Sequence, residues 1–242
     1  MCTVTFLPHP AGYALGMNRD EQRTRVVALP PERRAAAGRV IVQPREPHGG
    51  TWIAVNDRQC SLALINWYSI HRRAPPPATS RGIIAEQAAT AMAPAEVAAT
   101  LNRLPLDRLN PFRLIGIFPE RQAVREWRWD LLQLDHRDHP WRAQQWISSG
   151  FDEPMAQRLR GEAFARAADR PSFGTLGWLR ELHASHEPER GPFSTCMHRT
   201  DAVTVSYTEI AIDGDATVMR YRGTAPCQSA AFAELSLPLG AP

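Results

Sequence analysis

The chain has 242 residues, 43% of them hydrophobic, with 28 basic and 25 acidic side chains and a formal net charge of +3. This size suits one large α/β domain, residues 1–242, that can bury a sizeable core. The charges are too evenly balanced to indicate a nucleic-acid-binding surface, and no basic block alternates with aromatic residues.

The basic and cysteine residues exclude several chemistries. All 28 basic residues are arginine, as codon bias in a GC-rich bacterial genome produces, so Schiff-base formation, a Walker A phosphate loop and Ser–Lys dyads are ruled out. The cysteines at positions 2, 60, 196 and 227 form no Cys-x-x-Cys pair, and we predict no metal site and no redox dithiol. No secretory signal and no run of about 18 apolar residues is present, which predicts a cytoplasmic protein without a transmembrane segment.

The N-terminal elements are predicted to be strands in hairpins. Two apolar stretches, 2–7 and 13–17, flank the turn-forming residues 8–12 and indicate a strand–turn–strand unit. The polar residues 18–21, Asn-Arg-Asp-Glu, are expected at the end of the second strand.

A surface excursion and a second hairpin are predicted next. Residues 28–38, rich in proline, arginine and alanine, are expected to form the excursion, and 39–43 a strand. The second hairpin covers 51–56 and 60–67, and a proline-rich loop follows at 72–79.

Helical patterns and further hairpins fill the rest of the chain. Ser80 can cap one Ala-rich helix, and Pro94 can begin another. Residues 135–139, Asp-His-Arg-Asp-His, are expected in a solvated loop, and 237–242 to fray. The remaining predicted elements are two hairpins and two helices, at 112–118 with 123–129, 200–212 with 216–221, 153–168 and 175–186.

This order of elements predicts the fold class. Hairpins produce antiparallel sheets, and the intervening helices need an apolar face to cover. Two antiparallel sheets stacked face to face, with helices on the outside, satisfy both conditions. We therefore expect an α+β fold, a four-layer αββα sandwich.

Cys2 is the first candidate catalytic residue. A small residue at position 2 permits removal of the initiator methionine, after which the thiol and a free α-amino group share one residue. An α-amino group titrates near about 7.7–8.0, so it can accept the thiol proton and later return it to a leaving amine. The alternative is an ordinary small residue on a buried strand.

Arg19 and Asp20 are predicted to lie beside Cys2, because the end of the second strand of a hairpin adjoins the start of the first. A guanidinium near a thiol favours the thiolate, and a carboxylate can hold the α-amine in place. We therefore expect Cys2 to be unusually reactive at neutral pH. The alternative is a solvated turn with a local ion pair.

Several segments between residue 2 and about residue 207 resemble, in order, the NRDE family, which is also called the transport-and-Golgi-organisation family. The segments are MCTVTF…YALGMNRDEQR, GGTWIAVN, LALINW, NPFRLIG, WISSGFDEP and CMHRTDAVTVSY. That family looks related to N-terminal-nucleophile hydrolases of the cholylglycine hydrolase and penicillin acylase type. The resemblance implies a four-layer αββα sandwich that cleaves amides with a terminal cysteine.

The resemblance also implies roles for individual residues. Cys2 corresponds to the nucleophile, and Arg19 and Asp20 to the Arg and Asp beside it. Asn66, in LALINW, corresponds to an amide of the oxyanion hole. Arg199, in CMHR, corresponds to a late arginine of the same site.

Ser149 is a departure from the family pattern, because relatives carry an asparagine there. A serine is shorter and offers a hydroxyl in place of an amide, and one oxyanion donor can be worth about 2.7–4 kcal/mol. Asn18, Trp52 and His198 are expected to bind substrate, with Trp52 as the floor of a pocket beside Cys2. The alternative for Trp52 is a core residue after a glycine turn.

The other histidines and cysteines are expected to be structural. His183 and His186 should share one face of a helix, but no third ligand is close to them in the sequence. Cys60, Cys196 and Cys227 are expected to be small buried hydrophobic residues.

Two functions remain open. The first is hydrolysis of a small acyl amide or related C–N bond through a Cys2 thioester, without a cofactor. The second, which the resemblance implies because eukaryotic relatives are tied to haem trafficking and lipid homeostasis, is non-catalytic carriage of haem or a lipid-like ligand in the same pocket. Hydrolysis requires a free α-amine and carriage does not. The sequence leaves the oligomeric state open.

Overall fold

The computed structural model describes residues 2–240. Within them, thirteen strands form three groups along the chain, and a pair of α-helices separates each group from the next. No helix in this part of the chain is long and apolar enough to span a membrane. The strands are β1 (Cys2–His9), β2 (Gly12–Gln22), β3 (Leu29–Ala36), β4 (Arg39–Arg45), β5 (Ile53–Asn56), β6 (Ser61–Asn66), β7 (Phe112–Phe118), β8 (Ala123–Trp129), β9 (Leu134–His139), β10 (Gln144–Ser148), β11 (Ala202–Asp213), β12 (Ala216–Arg222) and β13 (Ala233–Leu237). The helices are α1 (Gly82–Ala88), α2 (Pro94–Leu101), α3 (Glu153–Ala168) and α4 (Leu176–Ala184).

The strands form two sheets in which all neighbours are antiparallel. The first sheet has the order β10-β1-β2-β11-β12-β13, so it combines strands from both ends of the described chain. The second sheet runs in sequence order from β3 to β9. This arrangement confirms the expected α+β fold with two antiparallel sheets.

The two sheets pack face to face through the alternate residues of their strands. Val4, Phe6 and Met17 of the first sheet belong to the same apolar core as Ile65 and Ile115 of the second. Because successive side chains of a strand point to opposite faces, the residues between them face the outer layers.

Helices cover the outer face of each sheet. On the second sheet, Ile84 of α1 and Val97 of α2 share a core with Leu64 of β6. On the first sheet, Trp178 of α4 packs in a core with Leu7 of β1. These contacts complete the four-layer αββα sandwich.

The second strand is longer than predicted. Residues 18–21 lie at the end of β2, as expected, but they belong to the strand, which extends beyond the apolar stretch 13–17. The strand continues to Gln22 because β11 pairs with it along its whole length, from Asp213 opposite Gly12 to Ala202 opposite Gln22. The polar cluster has no apolar alternation of its own, but hydrogen bonding to a distant strand satisfies its backbone.

Edge strands account for the other differences. The expected surface excursion at 28–38 contains β3, which pairs with β4, and the expected solvated loop at 135–139 pairs with β8 as β9. Strands β10 and β13 were not predicted, and β13 reaches Leu237, where fraying was expected. Edge strands expose many of their side chains to solvent and so lack the apolar alternation by which strands are recognised.

The helices agree closely with their predicted positions. Helix α3 spans the predicted range, and its cap residue Asp152 accepts a hydrogen bond from the Met155 N–H at 3.0 Å. Arg81, and not the predicted Ser80, occupies the N-cap of α1. Helix α4 ends at Ala184, so His186 lies beyond it and does not share a helical face with His183, as had been predicted.

His183 is buried between α4 and the first sheet. Its Nε2 lies 3.0 Å from the Thr5 hydroxyl, and its ring centroid is 5.1 Å from that of Tyr207. A Cβ added at Gly16 would lie 3.0 Å from the same Nε2, so the glycine makes room for the ring. Burial, assisted by the charge of Arg160, lowers the pKa of His183 to about 3.

His183 is expected to make the protein less stable in acid. Unfolded histidine binds a proton below pH of about 6.5, whereas the buried ring stays neutral until about pH 3. The free energy of unfolding should therefore fall by about 2 kcal/mol between about pH 6.5 and 5. Urea unfolding of the wild type and His183→Gln across this range measures the effect; an identical pH dependence in both proteins would contradict it.

Candidate active site

The pairing of β1 with β2 places Cys2 directly opposite Arg19. Cys2 lies on the same face of β1 as Val4 and Phe6, so its side chain faces the second sheet. On its other side Cys2 pairs with Ser148 of β10. Since Cys2 begins β1, it lies at one end of the space between the sheets.

A cavity of about 610 Å³ opens at this end of the sheets. Its volume is in the range of about 300–1,000 Å³ that is typical of small-molecule pockets. Six of the nine predicted site residues line it, and these are Cys2, Arg19, Asp20, Trp52, Asn66 and Arg199. The fold therefore brings together residues that are separated by up to about two hundred positions in the chain.

The guanidinium of Arg19 is held on three sides. It donates hydrogen bonds to the carboxylates of Glu46 and Glu21, the latter at 3.2 Å. Its central carbon lies 4.5 Å from the ring centroid of Trp52. Trp52 thus forms the floor beneath a buried cation, and these contacts fix the positive charge opposite Cys2.

Burial raises the pKa of the Cys2 thiol. The carboxylates of Asp20 and Glu21 act in the same direction, whereas the positive charge of the N-terminus and, more weakly, that of Arg19 oppose them. Arg19 alone would lower the pKa of the thiol. The pKa is raised instead, because removal from water disfavours the thiolate more than one cation favours it. In a chain that retains Met1, the thiol is therefore protonated at neutral pH and needs a base before it can attack.

Asn66 enters the cavity from the second sheet as the last residue of β6. Its amide Nδ2 donates a 2.8 Å hydrogen bond to the hydroxyl of Tyr68. The buried carboxylate of Glu153 accepts hydrogen bonds from the N–H groups of Ser69 at 2.6 Å, Ser149 at 3.3 Å and Tyr68 at 3.4 Å. Glu153 thereby joins the segment after β6 to the segment after β10.

The carboxylate of Asp20 is bound on the helical side of the first sheet. Its Oδ1 accepts a 2.6 Å hydrogen bond from the Thr204 hydroxyl, and its Oδ2 lies 3.5 Å from the guanidinium of Arg160 in α3. Arg160 is fully buried and also donates to the Thr3 hydroxyl at 2.7 Å. The two strand residues Arg19 and Asp20 therefore hold opposite charges on opposite faces of β2.

Asn18 and Ser149 do not line the cavity. The Asn18 amide donates two 2.8 Å hydrogen bonds, to the carbonyls of His183 and Thr195, and so joins β2 to the outer layer. Ser149 is buried, and its hydroxyl accepts a 3.3 Å hydrogen bond from the Phe151 N–H within the turn after β10. Gly150, the next residue, lies at the cavity in its place.

His198 also lies away from the cavity, where it had been expected to bind substrate. Its ring contacts His186, Cys196 and Cys227. Of these two neighbours in the chain, Arg199 lines the Cys2 cavity and His198 does not.

Two charged residues of the cavity, Glu46 and Arg81, were not found from the sequence. Arg81 donates to the Pro111 carbonyl at 2.9 Å, and burial lowers its pKa. Both lie in segments between strands or beside α1, where no motif marks them. A local signal for this part of the cavity is Gly50. Its φ is +84°, and a Cβ added there would lie 2.8 Å from the backbone of Gly82, so a glycine is needed where the two segments meet.

The two stacked sheets and their outer helices are the fold of the N-terminal-nucleophile hydrolases. The chain is similar to an alanine-for-cysteine mutant of conjugated bile acid hydrolase from Clostridium perfringens, with a TM-score of 0.59, 8% identity and coverage of 98% of this chain and 92% of that one. It is also similar to penicillin V acylase from Agrobacterium tumefaciens, with a TM-score of 0.54, 9% identity and coverage of 92% and 83%. At these identities the similarity establishes the fold alone.

Residues 1–128 match the family model described as Transport and Golgi organisation 2, and the chain belongs to this family, for which NRDE is another name. The matched segment contains Cys2, Arg19 and Asn66, whereas Arg199 lies beyond it. No curated protein matches the chain.

Arg19→Met is expected to raise the pKa of the Cys2 thiol further, because the cation is lost while the carboxylates of Glu21 and Glu46 remain. Alkylation of Cys2 by iodoacetamide, followed by peptide mass spectrometry from about pH 7 to 10, reports the apparent pKa. Arg25→Met removes another arginine that lines the cavity and serves as the control. The same pKa in all three proteins would show that Arg19 exerts no influence on the thiol.

Proposed function

We propose that this chain is an amidohydrolase whose nucleophile is an N-terminal cysteine and whose substrate is a small acyl amide or a related C–N compound. The observation that carries the proposal is the position of Cys2. Its thiol faces a cavity of about 610 Å³ at the end of two stacked sheets, directly opposite a buried arginine. A buried nucleophile at the wall of such a cavity is suited to acyl transfer with water excluded.

The chemistry requires removal of Met1, which places the α-amino group on Cys2. That amine takes the thiol proton, and the sulfur attacks the carbonyl carbon of the substrate to give a tetrahedral oxyanion. Collapse of this species breaks the C–N bond, the amine leaves with the proton, and a thioester remains on Cys2. Water then attacks the thioester and releases the carboxylic acid.

The surrounding residues have distinct proposed roles. The Asn66 amide donates to the developing oxyanion, and Tyr68 holds that amide in position. Arg19 supplies a fixed positive charge beside the thiolate as it forms. Asp20, held by Arg160 and Thr204, orients the new α-amino group.

We propose further that residues 1–242 form one domain in a reducing, cytoplasmic setting. Strands β1 and β13, from opposite ends of the described chain, belong to one sheet, and Leu237 shares a core with Cys2. The four cysteines are free thiols, as a reducing compartment maintains.

The competing function is carriage of haem or a lipid-like ligand in the same cavity. The raised pKa of the buried Cys2 thiol favours it, because a protonated thiol is a weak nucleophile. Among the described residues that line the cavity there is no histidine, so haem iron would depend on Cys2 for a soft protein ligand. Removing the thiol would therefore abolish hydrolysis under the first function and would remove this iron ligand under the second.

Cys2→Ala is expected to abolish amide hydrolysis, lowering kcat by about a thousandfold or more, because it removes the nucleophile. Cys2→Ser keeps a weaker oxygen nucleophile and should retain a small residual rate. Cys60→Ala, at a buried cysteine in a different core, is the matched control and should keep the wild-type rate. The assay follows release of amine and acid from a panel of acyl amides, with protein whose intact mass shows that Met1 is absent.

The same proteins are titrated with haem. Wild-type protein that lacks Met1, hydrolyses no amide and binds haem with micromolar affinity would overturn the proposal in favour of carriage. Hydrolysis that continues unchanged in Cys2→Ala would show that Cys2 is not the nucleophile.

A further inference from the structure

Two histidines and two cysteines cluster outside the Cys2 cavity. His186 follows α4, Cys196 and His198 precede β11, and Cys227 lies between β12 and β13. One ligand atom from each side chain lies within 4.8 Å of those from the other three. Three separate segments of the chain thus meet at this point.

Three of the six separations between these ligand atoms fit a tetrahedral metal site. The Nε2 atoms of His186 and His198 are 3.2 Å apart, and His198 Nε2 lies 3.5 Å from the sulfur of Cys196 and 3.5 Å from that of Cys227. Around zinc, with Zn–N of about 2.0–2.1 Å and Zn–S of about 2.3 Å, the tetrahedral N–N and N–S edges are about 3.3 and 3.6 Å. These three separations match the corresponding edges, and the other three are at most 4.8 Å.

Hydrogen bonding alone does not account for the cluster. The Nε2 of His198 faces three polar atoms, whereas an imidazole nitrogen is a donor or an acceptor in one direction only. A cation in the centre interacts with all four side chains at once, because a lone pair of each can point towards it.

We propose that His186, Cys196, His198 and Cys227 form a structural zinc site. Zinc binding releases the two thiol protons to solvent, and the two thiolates then neutralise the charge of the ion. Four protein ligands leave no open position for a substrate, so the site is closed. Mixed sulfur and imidazole ligands in a tetrahedral arrangement favour zinc over magnesium or calcium.

Backbone hydrogen bonds hold two of the ligands in place. The N–H of Cys196 donates to the Ser185 carbonyl, and that of His198 to the Gly191 carbonyl, each at 3.0 Å. The exposed Arg190 approaches Nδ1 of His198 at 3.4 Å. It must turn aside on zinc binding, because a histidine bound through Nε2 keeps its hydrogen on Nδ1.

The ion would fix one wall of the Cys2 cavity without touching a substrate. Arg199, next to His198, lines the cavity. Met197, on the other side of His198, donates its N–H to the Thr204 hydroxyl at 2.8 Å, and that hydroxyl donates to Asp20. Zinc at this position therefore stabilises the segment that supplies Arg199 and the partner of Asp20.

The experiment uses the full chain, reduced and stripped of metal with a chelator, then titrated with zinc. We expect about one zinc per chain, a higher Tm, and protection of Cys196 and Cys227 from iodoacetamide. Cys227→Ser and His186→Gln should each weaken zinc binding at least about tenfold. Cys60→Ala and His71→Gln, at positions remote from the cluster in sequence and outside it, should bind zinc like the wild type.

Titration of the wild type with cobalt(II) keeps the test decisive if a variant does not fold. Tetrahedral coordination by thiolates should produce a sulfur-to-cobalt charge-transfer band and visible d–d bands. Failure of the reduced wild type to take up zinc or cobalt overturns the proposal, as does uptake that is unchanged in both ligand variants. A disulfide between Cys196 and Cys227 in the purified protein, with no zinc uptake after reduction, overturns it as well.

Discussion

Antiparallel pairing of β1 with β2 determines which side chains meet at the end of the two sheets. Register alone decides that Cys2 and Arg19 are direct neighbours and that both side chains face the second sheet. A shift of one residue would turn the thiol towards the helices and bring Asn18 or Asp20 into the space between the sheets. Pairing with β10 on one side and β11 on the other makes such a shift costly, because each of these strands also has a buried face.

Burial and charge act on this pair in opposite directions. The sheets remove Cys2 from water and raise the pKa of its thiol, while Arg19 partly offsets that effect. A buried arginine lies on each face of β2. On the inner face Arg19 of the strand contacts Glu46, and on the outer face Arg160 of α3 lies near Asp20. Buried charges persist only where they are paired, so these contacts also specify how the outer layers and loops meet the strand.

Features with a strong local signal were predictable from the sequence. The hairpin of β7 with β8 and the extent of helix α3 agree with their predicted residues, because apolar spacing, turn residues and caps lie within each segment. The proximity of Cys2 to Arg19 was also predictable, because a single short turn between two apolar stretches indicates a hairpin. Edge strands β3 and β9 were missed, since exposed polar strands are held by their partners and carry no periodic pattern of their own.

The layered fold, the family resemblance and the candidate nucleophile could be inferred from the sequence, because motif residues and apolar alternation are local properties. Which polar side chains reach the cavity depends on the packing of distant segments. It directs Asn18 and His198 away from Cys2 and brings in Glu46 and Arg81. The face that a polar residue occupies depends on pairing between segments that are far apart in the chain, and no local pattern encodes that pairing.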